Sequence, residues 1–76
     1  MPHLGIANLS RSKWGIDVNV NRDGKIFRVP AVSDNVVRCI VGESDMEYLL
    51  SSTADESHCF KLSESELEEL YRCSNQ

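Results

Sequence analysis

Hydrophobic and polar residues alternate most regularly between Trp14 and Val32. Trp14, Ile16, Val18 and Val20 form one apolar series, and Phe27, Val29 and Ala31 form another. Between them lies the polar turn sequence Asn21-Arg22-Asp23-Gly24. A period of two places alternate side chains on one face of a strand, so this stretch predicts a β-hairpin over residues 13–32. Of two loop lengths weighed, a three-residue loop sets Val18 against Arg28 and brings charge onto the apolar face. A four-residue loop sets Val20 against Lys25, Val18 against Phe27, Ile16 against Val29 and Trp14 against Ala31, and keeps that face apolar. One step of slippage inverts every side chain, so the pattern selects the four-residue loop, with Gly24 at its end. Pro30 has no N–H and belongs at a sheet edge or a bulge. Gly15, inside a strand, marks a bulge or a close backbone approach.

The rest of the chain is read by the same rules. His3 to Leu9 is a strand candidate with Leu4, Ile6 and Asn8 on one face, and Ser10-Arg11-Ser12 is a polar break. Asn35 to Val41 is apolar at every position but Arg38 and the first, which predicts a central strand. Residues 44–53 fit two patterns. As a helix, Ser44 and Glu47 form a capping box and Met46, Leu49 and Leu50 a stripe. As a strand, Met46, Tyr48 and Leu50 alternate with Glu47, Leu49 and Ser51 and lead through a polar loop to a strand at His58–Leu62. The strand is preferred because it yields a continuous meander. The last element, at about 63–74, is a helix. Ser63 and Glu66 match a capping box, Leu62 and Leu67 a hydrophobic staple, and Leu67, Leu70 and Tyr71 share one face. The predicted fold is α+β: an antiparallel sheet of four to five strands, hairpin 13–32 at its centre, and a C-terminal helix on the face carrying Trp14, Ile16 and Val18.

Length bounds this picture to one small domain. A chain of 76 residues buries only about 60% of its unfolded surface, which makes association with a partner or a second copy a natural expectation. Three cysteines, Cys39, Cys59 and Cys73, are odd in number and widely spaced, so they suit a reducing compartment rather than a disulfide framework. No basic, apolar leader opens the sequence and no apolar run is long enough to cross a bilayer, so the expected location is cytoplasmic. Charge is uneven along the chain. Up to Gly42, six bases face three acids; from Glu43 onward, nine acids face only Lys61 and Arg72.

Candidate chemistry changes the picture little. No paired Cys-x-x-Cys spacing offers a zinc site, and neither a metal nor another cofactor is expected. His58 and Cys59 are adjacent, and neighbours on a strand point to opposite faces, so they make a poor nucleophile–base pair. Solvated glutamates at a helix start have no apolar pocket to raise a pKa for acid–base work. Gly5, Gly15, Gly24 and Gly42 form neither a Walker loop nor a dinucleotide fingerprint. The expectation is therefore a non-enzyme.

Two charged surfaces are left as candidates. Asp45, Glu47, Asp55, Glu56, Glu64, Glu68 and Glu69 can form an acidic face that docks on a basic protein groove. Arg11, Lys13, Arg28 and Arg38 can instead line the solvent face of the sheet and contact nucleic-acid phosphates, against the overall acidity of the chain. The first reading is preferred: a protein-binding module, an inhibitor or adaptor of a larger, nucleic-acid-handling complex. By size and charge it fits the virus-encoded anti-defence (anti-CRISPR-like) kind. Direct nucleic-acid binding and a homodimeric structural subunit, pairing strand edges near His3–Leu9 or Pro30, are the alternatives. No membrane partner is expected.

Overall fold

The computed structural model describes residues 4–51 and 60–75. Among these residues there are four strands, β1 (Leu4–Ser12), β2 (Gly15–Arg22), β3 (Lys25–Val32) and β4 (Phe60–Lys61), and three helices, α1 (Asp34–Val41), α2 (Glu43–Ser51) and α3 (Glu64–Ser74). The strands form one antiparallel sheet in the order β3-β2-β1-β4. The fold is α+β, with the C-terminal helix on one face of the sheet. The expected hairpin is present as β2 and β3, but only β2 is central; β3 is an edge.

The hairpin register departs from expectation by two residues. Arg22 pairs with Lys25, Val20 with Phe27 and Val18 with Val29, so the loop holds only Asp23 and Gly24. Both have positive φ, 54° and 80°, as a type I′ turn requires, and its twist matches that of the strands it joins. A shift of two preserves facing, and Ile16, Val18 and Val20 are all fully buried. Trp14 is not on that face. β1 continues through Ser10-Arg11-Ser12, the expected break, and returns at once, which leaves Lys13 and Trp14 as the β1–β2 turn and Trp14 79% exposed.

Two bulges adjust the core face. Ala7 is an extra residue in β1 between Ile6 and Asn8, so Leu9, rather than Asn8, joins Ile6 in the core. In β3, Asp17 faces both Pro30 and Ala31, and beyond them Val32 comes opposite Ile16. Val29 and Val32 are both buried although three residues apart. Ala31 takes a φ of 57° there, and its N–H donates to Asp17 Oδ1 at 3.1 Å. Pro30 thus sits at an edge and at a bulge. Gly15 marks a close approach: a Cβ on it would lie 2.6 Å from the Val32 carbonyl oxygen.

The expected central strand at Asn35–Val41 is instead α1. Its valines and isoleucine fall at Val36, Val37, Ile40 and Val41, a helical stripe as well as an apolar run, and Val37 and Val41 are buried. Ser33 caps the helix by accepting the Asn35 N–H on its Oγ, and Gly42 ends it with a φ of 86°. The capped stripe overrides the strand preference of β-branched residues. Residues 44–53 also take the helical alternative as far as they are described: Met46 and Leu49 of α2 are buried, with Leu50 packed beside them. Of the expected strand His58–Leu62, Phe60–Lys61 pairs with β1, while His58 and Cys59 lie outside the described residues.

All three helices cover the same sheet face. α2 lies against β1, α1 over β2 and α3 along β3, with α1 touching both neighbours. The core between the layers includes Ile6, Leu9, Ile16, Val18, Val20, Val29, Val32, Val37, Met46 and Leu70. α3 begins with the expected capping box, in which the Glu66 N–H donates to Ser63 Oγ and the Ser63 N–H to Glu66 Oε1. Leu62 and Leu67, the two staple residues, are both buried. No helix among the described residues is long and apolar enough to cross a membrane.

Candidate functional site

The arginines expected on one sheet face are dispersed by the fold. Arg11 pairs across β2 with Ile16, which puts it on the helix side, where its Nη1 donates to Asp34 Oδ2 of α1 at 2.8 Å. Lys13 is in the β1–β2 turn. Arg28 projects from β3 on the uncovered face, 3.9 Å from Asp17. Arg38 is on α1, 3.8 Å from Glu43, and donates to Asn35 Oδ1 at 3.2 Å. Each arginine of that set therefore has a carboxylate partner, and the four bases share no face. These exposed pairs are each worth at most about 1 kcal/mol, but together they reduce the free positive charge of the first half of the chain.

The acidic candidates behave differently. Asp45 and Glu47 are exposed on α2, and Glu64, Glu68 and Glu69 are exposed on α3, opposite the buried Leu67 and Leu70. None of these five carboxylates is within ion-pair distance of a cation among the described residues. Glu68 and Arg72, four residues apart, also do not meet. Glu66 is taken up by the capping box. The helix layer runs α2, α1, α3, so α1 stands between the two acidic groups, with Arg38 on its exposed side. The acids make two patches flanking α1 rather than one sheet of charge. Asp55 and Glu56 lie outside the described residues.

Among the described residues, no three His, Cys, Asp or Glu side chains are grouped to hold a metal ion. Cys39 is exposed on α1, whereas Cys73 is half-buried and its Sγ accepts the Ser33 N–H at 3.2 Å, tying the end of α3 to the start of α1.

Exposed aromatic residues are the feature the sequence pattern misassigned. Trp14, Tyr48 and Tyr71 are 79%, 56% and 41% exposed, and Ile26 is 42% exposed. Tyr71 stacks on the half-buried Phe27 of β3 with ring centroids 6.3 Å apart and planes 6° from parallel. The signal for Trp14 was its position directly before Gly15, in a segment short enough to be a turn.

No family model, curated protein or solved structure matches this chain.

Proposed function

We propose that this chain is a non-catalytic protein-binding module, an acidic inhibitor or adaptor that docks its helix layer on a larger, nucleic-acid-handling protein. The narrower form of the proposal is a virus-encoded anti-defence protein of the anti-CRISPR-like kind, and it rests on size and charge. One observation carries the reading. Among the described residues, the exposed carboxylates Asp45, Glu47, Glu64, Glu68 and Glu69 have no cation partner, while Arg11 is held by Asp34 at 2.8 Å and Arg28 and Arg38 lie at the looser distances of 3.9 and 3.8 Å from Asp17 and Glu43. Free, exposed charge of one sign raises the rate of encounter with a surface of the opposite sign and disfavours wrong partners. A groove built to hold nucleic acid is such a surface. Direct contact of this chain with phosphates is disfavoured by the same distribution, because its arginines are dispersed over the fold and share no face.

The test compares the intact chain with a Glu64→Lys, Glu68→Lys, Glu69→Lys variant as bait in the native host lysate, with and without nuclease. These side chains are exposed and outside the capping box; lysine at Glu64 opposes the helix dipole by only about 0.3–1 kcal/mol, and circular dichroism of both proteins checks that α3 is retained. A protein captured by the intact chain, resistant to nuclease and lost by the variant, supports the proposal. Equal capture by the variant removes α3 as the docking surface. Capture that disappears with nuclease transfers the function to nucleic acid.

A further inference from the structure

All three helices lie on one face of the sheet, and β3 is its outer strand on the side away from β4. Which backbone groups of β3 face outward follows from the turn. A two-residue loop makes Arg22 and Lys25 the closing hydrogen-bonded pair, and hydrogen-bonded and non-bonded pairs then alternate along the ladder. Lys25, Phe27 and Val29 therefore direct their N–H and C=O groups toward β2. Ile26 and Arg28 direct theirs away from the sheet, where no strand among the described residues meets them. Pro30 holds the next outward position and has no N–H, and the bulge at Ala31 follows.

The open edge is thus short. Charges, proline and a bulge are the usual devices that keep an edge from pairing indiscriminately; here Pro30 and the bulge at Ala31 close its far half, and the charges of Lys25 and Arg28 restrict what the near half can accept. The near half, Lys25–Val29, keeps two outward donors and acceptors beside distinctive side chains. On the helix side, Phe27 and Tyr71 form a stacked pair, with Tyr71 41% exposed. On the uncovered side, Ile26 is 42% exposed and the Arg28 side chain 66% exposed, with Asp17 only at 3.9 Å.

We propose that the edge Lys25–Val29 accepts, as an added antiparallel strand, an extended segment of a partner protein that reads acidic–apolar–apolar. In that register the acidic residue lies opposite Arg28 and the second apolar residue opposite Ile26, both on the uncovered side. The residue between them points to the helix side, against Phe27 and Tyr71. Charge selects this occupant over a second copy of the chain. Two β3 edges joined about Phe27 would set each Arg28 opposite Ile26 and diagonal to the other Arg28 on the uncovered side, with only Asp17 to offset them, whereas an acidic residue complements Arg28. This surface is separate from the α2 and α3 carboxylates, and its test leaves them unchanged.

The experiment is a titration of the isotope-labelled full chain with the peptide acetyl-Thr-Glu-Phe-Val-Thr-amide, followed by amide spectra and hydrogen exchange. So short a strand should bind with a Kd of about 1 mM, within reach of such a titration. In the free protein, the Ile26 and Arg28 amides should exchange fast while those of Phe27 and Val29 are protected. Peptide should shift the Lys25–Val29 and Tyr71 signals and slow exchange at Ile26 and Arg28. N-methylation of the peptide valine, whose N–H would bond to β3, should abolish the shifts, whereas N-methylation of its phenylalanine, whose N–H points away, should not. Replacing the peptide glutamate by lysine should weaken binding about two- to fivefold, the range of an exposed ion pair, and Arg28→Glu should reverse that preference. The proposal is overturned by unchanged β3 signals at millimolar peptide, or by indifference to valine N-methylation. It is also overturned if Ile26 and Arg28 are already protected without peptide in a way that grows with protein concentration. That last result would assign the edge to a second copy.

Discussion

Replacing Gly15 by alanine separates two reasons for a glycine that are usually entangled. Gly15, Gly24 and Gly42 all have positive φ, at 142°, 80° and 86°. An added Cβ would meet nothing within 4 Å at Gly24 or Gly42, but at Gly15 it would lie 2.6 Å from the Val32 carbonyl oxygen and 3.2 Å from two backbone carbons. Gly24→Ala therefore carries only the conformational term, about 1–2 kcal/mol for an L-residue in such a conformation. Gly15→Ala, at a φ of 142° beyond the left-handed helical region, carries a conformational term of about 1–3 kcal/mol and must also displace β3. No rotamer change relieves the contact, because the obstacle is backbone. Val32 is itself fully buried opposite Ile16 and leads directly into the Ser33 cap of α1. Overpacking of this kind adds about 1–3 kcal/mol, for a total of roughly 2–6 kcal/mol. A domain of this length holds only about 4–11 kcal/mol, so the variant should lie close to unfolding. Each kcal/mol corresponds to about 4–8 °C in Tm at this size. Urea denaturation followed by far-ultraviolet circular dichroism is the suitable assay, since Trp14 fluorescence would report the mutated turn rather than the fold. Equal losses for Gly15→Ala and Gly24→Ala would refute the close approach of β2 and β3 at Val32.

Two further substitutions probe single contacts. Ser63→Ala removes the hydroxyl that accepts the Glu66 N–H and should destabilise the chain by about 1 kcal/mol in the same denaturation assay, with Ser63→Asp restoring most of it. Asp17→Ala removes the acceptor of the Ala31 N–H and the partner of Arg28; a loss of about 1–2 kcal/mol is expected. Faster exchange of the Ala31 amide should accompany that loss, and an unaltered rate would show that Asp17 does not hold the bulge.

Local pattern was sufficient where neighbouring residues settle their own conformation. The capping box at Ser63 and Glu66, the staple of Leu62 and Leu67 and the stripe of Leu67 and Leu70 lie within one or two helical turns, and α3 is where they place it. The alternation of Ile16, Val18 and Val20 likewise determined which side of β2 is buried, because facing survives any even shift in register. The turn sequence Asp23-Gly24 already held the two residues that tolerate positive φ, yet face alternation alone could not separate a two-residue loop from a four-residue one.

Tertiary structure decided the rest. The run Val36 to Val41 satisfies a buried strand and a helical stripe equally; the caps at Ser33 and Gly42 favour the helix, and its place above β2, between α2 and α3, is what lets that helix bury Val37 and Val41. The bulges at Ala7 and at Pro30–Ala31 bring Leu9 and Val32 into the core three residues after Ile6 and Val29, a spacing no strict period of two can forecast. The candidate surfaces depended on the same level of organisation. Arg11, Arg28 and Arg38 share a positive stretch of sequence, but folding separates them and places each near a carboxylate, while among the described residues Asp45 and Glu47 of α2 and Glu64, Glu68 and Glu69 of α3 have no cation partner on either side of α1. Charge is counted along a chain but acts through space, so the sequence determined its sign in each half and the fold determined where that sign is exposed.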